Sequence, residues 1–121
     1  MLSRRFGELE SVVMEHIWSN STPITVRDVY RELSGERSIA YTTVMSTMDN
    51  LHHKGWLERE RDGKAYRYHP VLTGEQYRAQ LMRTALGSGG RIDLVLTHFV
   101  DGISAEQSDC LRAALRRRRR T

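Results

Sequence analysis

The chain of 121 residues has a single cysteine, Cys110, and only two prolines. One cysteine excludes a disulfide within the chain and a cysteine-rich metal site. No apolar run approaches the ~20 residues that cross a membrane. In a signal peptide an apolar stretch follows the basic residues, and no such stretch follows Arg4 and Arg5. We therefore expect a cytoplasmic protein that does not associate with membranes.

Apolar residues are also scarce, at 39% of the chain, which is near the low end for globular proteins. Residues 1–72 carry ten basic and ten acidic side chains, whereas 73–121 carry nine basic and five acidic. Five of those nine are the consecutive arginines 116–120. The net charge of +4 thus comes mainly from this C-terminal arginine tail. We expect the tail to be solvated and without fixed structure.

The spacing of apolar residues predicts three helices, a hairpin and three more helices. The predicted elements are helices over 7–18, 26–34 and about 40–54, strands over 56–60 and 65–69, and helices beginning after Thr73, near Ile92 and after Ser104. Thr25 and Asp28 have the spacing of a capping box, and Asp62 before Gly63 is a strong hairpin signal. This order predicts a mainly α chain with one small hairpin, arranged as a winged helix-turn-helix.

The third predicted helix has an unusual outer face. An ordinary solvent face prefers Glu and Lys, but this one carries hydroxyl side chains, all but the tyrosine short, near its start: Tyr41, Thr42, Thr43, and Ser46 or Thr47. A helix in the major groove of DNA needs short side chains at its N-terminus, so that its backbone can approach the base edges. We therefore predict a recognition helix for double-stranded DNA.

Cations flank the predicted recognition helix. Arg27, at the start of the second helix, and Lys54, at the end of the third, are predicted to hold DNA phosphates. The hairpin over 59–67 is predicted to be a basic wing, with cations at Arg61, Lys64 and Arg67.

Acidic residues within the hairpin would repel DNA if they faced it. The two-residue period of a strand is expected to turn Glu58 and Glu60 away from Arg59 and Arg61. Asp62 is assigned to the turn itself.

The helices after the hairpin each have a single apolar stripe, which a short helix rarely buries alone. We predict that 1–72 is a DNA-binding domain and that 73–121 is a three-helix region that forms a homodimer. The predicted dimerisation residues are Leu81, Met82, Ile92, Val95, Leu96, Phe99, Leu111 and Leu115.

A resemblance to a known family is carried by short segments within 7–70: GELE at 7–10 with VM at 13–14 and IW at 17–18, TVRDV at 25–29, AYTTVMSTM at 40–48, KGWL at 54–57 and RDGKAYRYHP at 61–70. Together they resemble the BlaI/MecI/CopY family of bacterial repressors, the penicillinase-repressor type. The resemblance implies a homodimer that binds an inverted-repeat operator. By position, it places Thr42, Thr43 and Ser46 at the bases and Tyr41, Lys54, Arg61, Lys64 and Arg67 at the DNA backbone.

Members of this family are often induced when a membrane sensor with a zinc-protease domain triggers cleavage of the repressor in its dimerisation region. The cleaved bond is typically Asn-Phe, and the matching bond here joins His98 to Phe99. Since His98 replaces the usual Asn, the resemblance leaves this cleavage open. Copper-responsive relatives carry paired cysteines, so Cys110 alone argues against copper sensing.

Other functions find little support. The chain lacks a phosphate-binding glycine loop, a nucleophile elbow and a metalloprotease His-Glu pair, so we expect neither an enzyme nor a cofactor. Its five histidines lack the spacing of metal ligands. The main alternative is a winged helix that binds protein. The zero net charge of 1–72 supports it. A protein-binding face would favour exposed Leu, Phe or Trp, however, and the sequence has Thr43, Ser46 and Asn50 at these positions. A small-molecule-responsive regulator would need a cavity that the short C-terminal helices are expected to be too small to enclose.

Overall fold

The computed structural model describes residues 6–119, which form six helices and one antiparallel hairpin. The elements are α1 (Glu8–Trp18), α2 (Val26–Ser34), α3 (Tyr41–His53), β1 (Leu57–Asp62), β2 (Ala65–Pro70), α4 (Gly74–Leu86), α5 (Ile92–Gly102) and α6 (Ala105–Arg119). The predicted order of elements is confirmed.

A capping box fixes the start of α2. The amide of Asp28 donates to the hydroxyl oxygen of Thr25 over 3.1 Å, and the amide of Thr25 donates to the Asp28 carboxylate over 3.2 Å. The hydrogen bond from the Thr25 backbone, followed by that with its hydroxyl, lowers the pKa of Asp28. The capping box predicted from the sequence is therefore confirmed.

The hairpin is longer than predicted. Its ladder runs from Leu57 opposite Pro70 to Asp62 opposite Ala65. Only two residues connect the strands, and Gly63 has a φ of +65°, as in a type II′ turn. Asp62, which was predicted to lie in the turn, is both the last residue of β1 and the first of the four turn residues, and it accepts a 2.6 Å hydrogen bond from Arg67.

The three N-terminal helices and the base of the hairpin enclose one apolar core. Its buried members are Val13, Met14, Ile17, Ile24, Val29, Leu33, Val44, Met48, Leu51, Leu57 and Tyr68. Ile24, just before α2, exchanges two backbone hydrogen bonds with Tyr68, over 3.0 and 2.8 Å. This bridge, which the sequence pattern did not predict, ties the hairpin to the helices.

An aromatic cluster holds the first turns of α4 to the same unit. Tyr77 stacks on Phe6 at 4.5 Å between ring centroids and lies 5.4 Å from the rings of both Trp18 and Trp56. The indole N–H of Trp18 donates to the carbonyl of Leu72 over 2.9 Å. Because of these contacts the first compact unit extends to residue 82, beyond the predicted boundary at 72.

The second unit begins at residue 83 and contains α5 and α6. Between 83 and 119 no side chain is fully buried. Ser104 and Gln107 form the capping box of α6, with both hydrogen bonds 3.0 Å long. None of the helices within 6–119 combines the length and apolar character needed to cross a membrane.

The end of α6 corrects one expectation. Residues 116–119 of the arginine run are helical and do not lack fixed structure, while Arg120 lies outside the described residues. Arginine is a good helix former, and cations at a helix C-terminus are favoured by the helix dipole. These two effects explain why the helix continues into the run.

Candidate nucleic-acid interface

The outer face of α3 is set by its buried face. Val44, Met48 and Leu51 are fully buried in the core, so the opposite face of the helix points to solvent. Its exposed residues include the three predicted base contacts and two others: Thr42, Thr43, Ser46, Met45 and Asn50. The sequence did not single out Met45, whose apolar side chain is 44% exposed between the hydroxyl residues.

Thr47 does not belong to the outer face. It is only 9% exposed, and its hydroxyl donates to the carbonyl of Thr43 over 2.8 Å. Thr47 follows Val44 by three residues and precedes Leu51 by four, so helical spacing places it beside the core stripe. Of the two predicted alternatives, Ser46 is the outward residue.

The start of α3 brings together side chains from both helices of the helix-turn-helix. The guanidinium of Arg27, on α2, lies 5.9 Å from the centroid of the Tyr41 ring. Tyr30 packs edge-on against the same ring, at 5.5 Å between centroids. Ala40, the N-cap of α3, makes no side-chain capping hydrogen bond. A cation, a phenol and the N-terminal end of a helix dipole therefore meet here, which suits an anion.

Lys54, a predicted phosphate contact, is engaged by an acid at the other end of α3. Its ammonium group lies 2.7 Å from the carboxylate of Glu10 on α1. Burial raises the pKa of Glu10, but hydrogen bonds from Lys54 and from the amide of Gly7 outweigh burial, so the pKa is lowered overall. Binding a phosphate would require Lys54 to be shared with Glu10 or released from it.

The predicted wing cations lie on different faces of the hairpin. Cross-strand pairing places Arg61 opposite Tyr66 on one face and Arg67 opposite Glu60 on the other. Lys64 occupies the exposed turn. The expected separation of Glu58 and Glu60 from Arg59 and Arg61 is confirmed, but it leaves Arg67 on the acidic side.

Arg59 is a positioning residue that the sequence prediction missed. Its guanidinium donates to the Asp49 carboxylate over 2.9 Å and to the hydroxyl of Tyr68 over 3.2 Å, and lies 4.2 Å from the centroid of the Tyr66 ring. It thereby joins the hairpin to α3 and balances the charge of an acid near the outer face. The alternation that places Arg59 with the tyrosines is visible in the sequence, but its partner on α3 is not.

The predicted dimerisation residues are accessible within the single chain. Met82, Ile92, Val95, Leu96, Phe99 and Leu115 are each between 38% and 57% exposed, while Leu81 and Leu111 are half-buried. His98, beside Phe99 in α5, is exposed, as is Cys110 in α6. In the part of the chain that the structure describes, no three His, Cys, Asp or Glu side chains are grouped to hold a metal ion.

The three-helix core, the two-stranded hairpin and the exposed face of α3 define a winged helix-turn-helix protein. The sequence profile of the family described as penicillinase repressor matches residues 6–117. The chain therefore belongs to the penicillinase repressor family. This is a family of repressors, and the chain is not an enzyme.

Relatives and solved structures agree with this assignment. The transcriptional regulator BlaI of Mycobacterium tuberculosis (strain H37Rv) is 44% identical over 115 residues, which cover 92% of this chain and 83% of the relative. The solution structure of the DNA-binding domain of the repressor BlaI superposes with a TM-score of 0.54 at 27% identity, over 60% of this chain and 88% of that one. The monomeric form of Bacillus licheniformis BlaI in complex with the blaP half-operator gives a TM-score of 0.51 at 27% identity and the same coverages.

Proposed function

We propose that the chain is a transcriptional repressor that binds an inverted-repeat operator as a homodimer, in the cytoplasm. The observation that carries this proposal is the exposed hydroxyl face of α3, with Arg27 and Tyr41 at its start. Similarity to a structure of BlaI in complex with a half-operator supports a mode of DNA binding in which α3 enters the major groove.

The proposed DNA contacts are supported by the geometry of α3 and the hairpin. Thr42, Thr43 and Ser46 contact base edges, because short exposed side chains let the helix approach them. Phosphates are bound by two groups of residues, one around α3 and one on the wing: Arg27, Tyr41 and Lys54, and Arg61, Lys64 and Arg67. In this proposal, DNA phosphates compete with Glu10 for Lys54 and with Asp62 for Arg67.

The exposed apolar side chains of the C-terminal unit support the proposed homodimer. Six large apolar residues of α5 are at least 38% exposed: Ile92, Leu94, Val95, Leu96, Phe99 and Val100. A second copy of the chain would cover such a helix, and two-fold symmetry would match an inverted repeat.

We propose that induction uses this same region. A membrane sensor with a protease domain would trigger cleavage between His98 and Phe99, both exposed in α5. Cleavage there would divide the apolar helix and weaken the dimer. Mass spectrometry of the repressor from induced cells should then show a fragment ending at His98, and an intact chain would contradict this step.

The test is a selection of random duplex DNA on the purified protein, followed by titration of the recovered sequence. We expect one inverted repeat, bound by two chains as measured by sedimentation. Binding without any preferred sequence would contradict the proposal and favour a protein partner.

Thr43→Ala tests the assignment of the base contacts. Loss of a good base contact should weaken operator binding by about 1–3 kcal/mol, measured by fluorescence anisotropy. Ser11→Ala, which removes an exposed hydroxyl from α1, is the matched control and should bind like the parent. Normal operator binding by a folded, dimeric Thr43→Ala protein would show that Thr43 does not read a base.

A further inference from the structure

Many basic side chains of the winged-helix unit form ion pairs with acidic side chains of the same unit. The ion pairs within residues 6–82 include Arg31 with Asp28 at 3.8 Å, Lys54 with Glu10 at 2.7 Å, Arg59 with Asp49 at 2.9 Å, Arg67 with Asp62 at 2.6 Å and Arg78 with Glu15 at 2.5 Å. Residues 1–72 also carry equal numbers of acidic and basic side chains. This unit can shape a specific contact, but it offers little net charge to attract DNA.

The positive excess lies at the end of α6. Residues 116–119 are four consecutive arginines within the helix, and all four are exposed. No acidic residue occurs from 112 to 119. The last turn of α6 therefore concentrates positive charge at one end of the C-terminal unit.

We propose that the last turn of α6 binds the phosphates of double-stranded DNA without reading sequence, and that it supplies much of the electrostatic share of DNA affinity. The residues of this surface, the α6 arginines, are Arg116, Arg117, Arg118 and Arg119. The inference rests on the proposed function, because it takes operator DNA as the nucleic acid that the protein meets.

The arrangement of the α6 arginines matches a polyanion better than an acidic protein patch. Successive residues of a helix are about 100° apart, so four consecutive arginines point to all sides and not along one stripe. Duplex DNA carries one charge per ~1.7 Å of its axis, counted over both strands, so long arginine side chains that point in different directions can each meet a phosphate. The guanidinium fork also suits phosphate oxygens.

An anionic membrane surface fits the α6 arginines less well. A helix that lies on a membrane inserts a broad apolar face beside its cations. Near the arginines, α6 offers only Leu111, which is half-buried, and Leu115, which is 54% exposed. Duplex DNA needs no such face.

The experiment compares the full-length protein with a variant in which the four α6 arginines are glutamine, a residue of similar helix propensity. Binding to two duplexes of equal length, the selected operator and a scrambled sequence, is measured across a salt series. Each lost phosphate contact flattens the slope of log affinity against log salt by about 0.9. We expect a slope about 2–4 smaller per chain, with the preference for the operator unchanged.

Three controls make the result specific to the α6 arginines. Replacing the same four residues by lysine keeps the charge and should keep the slope. The double variant Arg83→Gln and Arg91→Gln removes two charges elsewhere in the C-terminal unit and should change the slope little. Single-stranded RNA and vesicles of anionic lipid are added as competitors, and neither should displace the protein better than scrambled duplex does.

The possible outcomes separate this inference from the proposed function. Intact operator preference with an unchanged slope in the glutamine variant would overturn the role of the α6 arginines and leave the repressor proposal standing. Equal loss of slope per charge in the Arg83 and Arg91 variant would overturn it too, as would preferential competition by RNA or vesicles. A parent protein that prefers no sequence, but whose slope still depends on the α6 arginines, would instead contradict the proposed function.

Discussion

Arg59 shows how one side chain can join the two parts of a DNA-binding surface. It reaches Asp49 on α3 while its guanidinium lies against the Tyr66 ring on β2. Only 20% of its side chain is exposed, so it holds the hairpin against α3 and is poorly placed to reach DNA itself. Its effect on DNA binding should therefore come through the position of the wing.

We predict that Arg59→Ala lowers the free energy of unfolding by about 1–2 kcal/mol, since hydrogen bonds to a charged group and the stacking on tyrosine are lost together. Urea denaturation measures this change. Asp49→Asn keeps the shape of the acceptor but removes its charge, so the double variant should be less destabilised than the sum of the single variants. Strictly additive effects would show that the pair does not hold the hairpin.

At the residue scale, the sequence predicted which side chains face outward on α3 better than it predicted which side chains contact one another. Thr42, Thr43 and Ser46 are exposed as expected, because helical spacing alone separates them from the core stripe. Thr47 lies at the edge of that stripe, where spacing cannot decide between core and solvent. The contact of Arg59 with Asp49 depends on how the hairpin packs on α3, which local pattern does not contain.

Among the elements, α2 offers a direct test of its capping box. We predict that Thr25→Ala lowers the free energy of unfolding by about 1 kcal/mol and raises the pKa of Asp28 part of the way toward its ordinary value, measured by NMR titration. The rise is partial because the hydrogen bond from the Thr25 backbone remains. The folded-state pKa of Asp28 is lowered. Its stabilisation is thus complete above the unfolded pKa and is lost as the pH falls through the folded value.

The stability difference between the parent and Thr25→Ala should accordingly shrink in acid. Ser104→Ala removes the equivalent cap from α6 and serves as the control, because it should leave the pKa of Asp28 unchanged. If the Asp28 titration is the same in Thr25→Ala and in the parent, the Thr25 hydroxyl does not lower the pKa of Asp28, and the hydrogen bond from the Thr25 backbone accounts for the effect.

The elements were predicted well in kind and less well at their ends. Capping residues and glycines are local signals, so the starts of α2 and α6 could be found from the sequence. The first strand was predicted to end two residues too early, at residue 60. The ion pair of Asp62 with Arg67 and the packing of Arg61 near Tyr66 extend the ladder to Asp62. Those cross-strand contacts depend on a register that a single strand does not reveal.

For the whole molecule, the proposed dimer has a direct test in α5. Phe99→Glu places a charge among exposed apolar side chains. In each chain it removes about 1.5–3 kcal/mol of the favourable free energy that burial of the phenyl ring contributes to dimerisation. In a symmetric dimer the loss counts twice, so we predict dimerisation at least ~100-fold weaker, measured by sedimentation equilibrium. Thr97→Glu, which lies between Asp93 and Asp101 on the polar side of α5, is the matched control, and a fully dimeric Phe99→Glu protein would exclude this helix from the interface.

The division into two units was the part of the architecture that the sequence placed least well. Pro70 and Thr73 mark the end of the hairpin and the start of α4, which suggested a boundary at 72. Tyr77 overrides this local signal, because it packs on Phe6 and two tryptophans that lie far away in the sequence. A boundary set by such contacts becomes visible only once the chain is folded.

The aromatic cluster around Tyr77 also gives the protein a built-in optical reporter. Trp18 and Trp56 are the only tryptophans of the chain, and all five tyrosines precede residue 83. Intrinsic fluorescence excited at the indole band therefore follows the winged-helix unit and the seating of α4 against it. Separation of the C-terminal helices from a second copy should leave the emission spectrum nearly unchanged, so fluorescence and sedimentation together can distinguish loss of the DNA-binding fold from loss of the dimer.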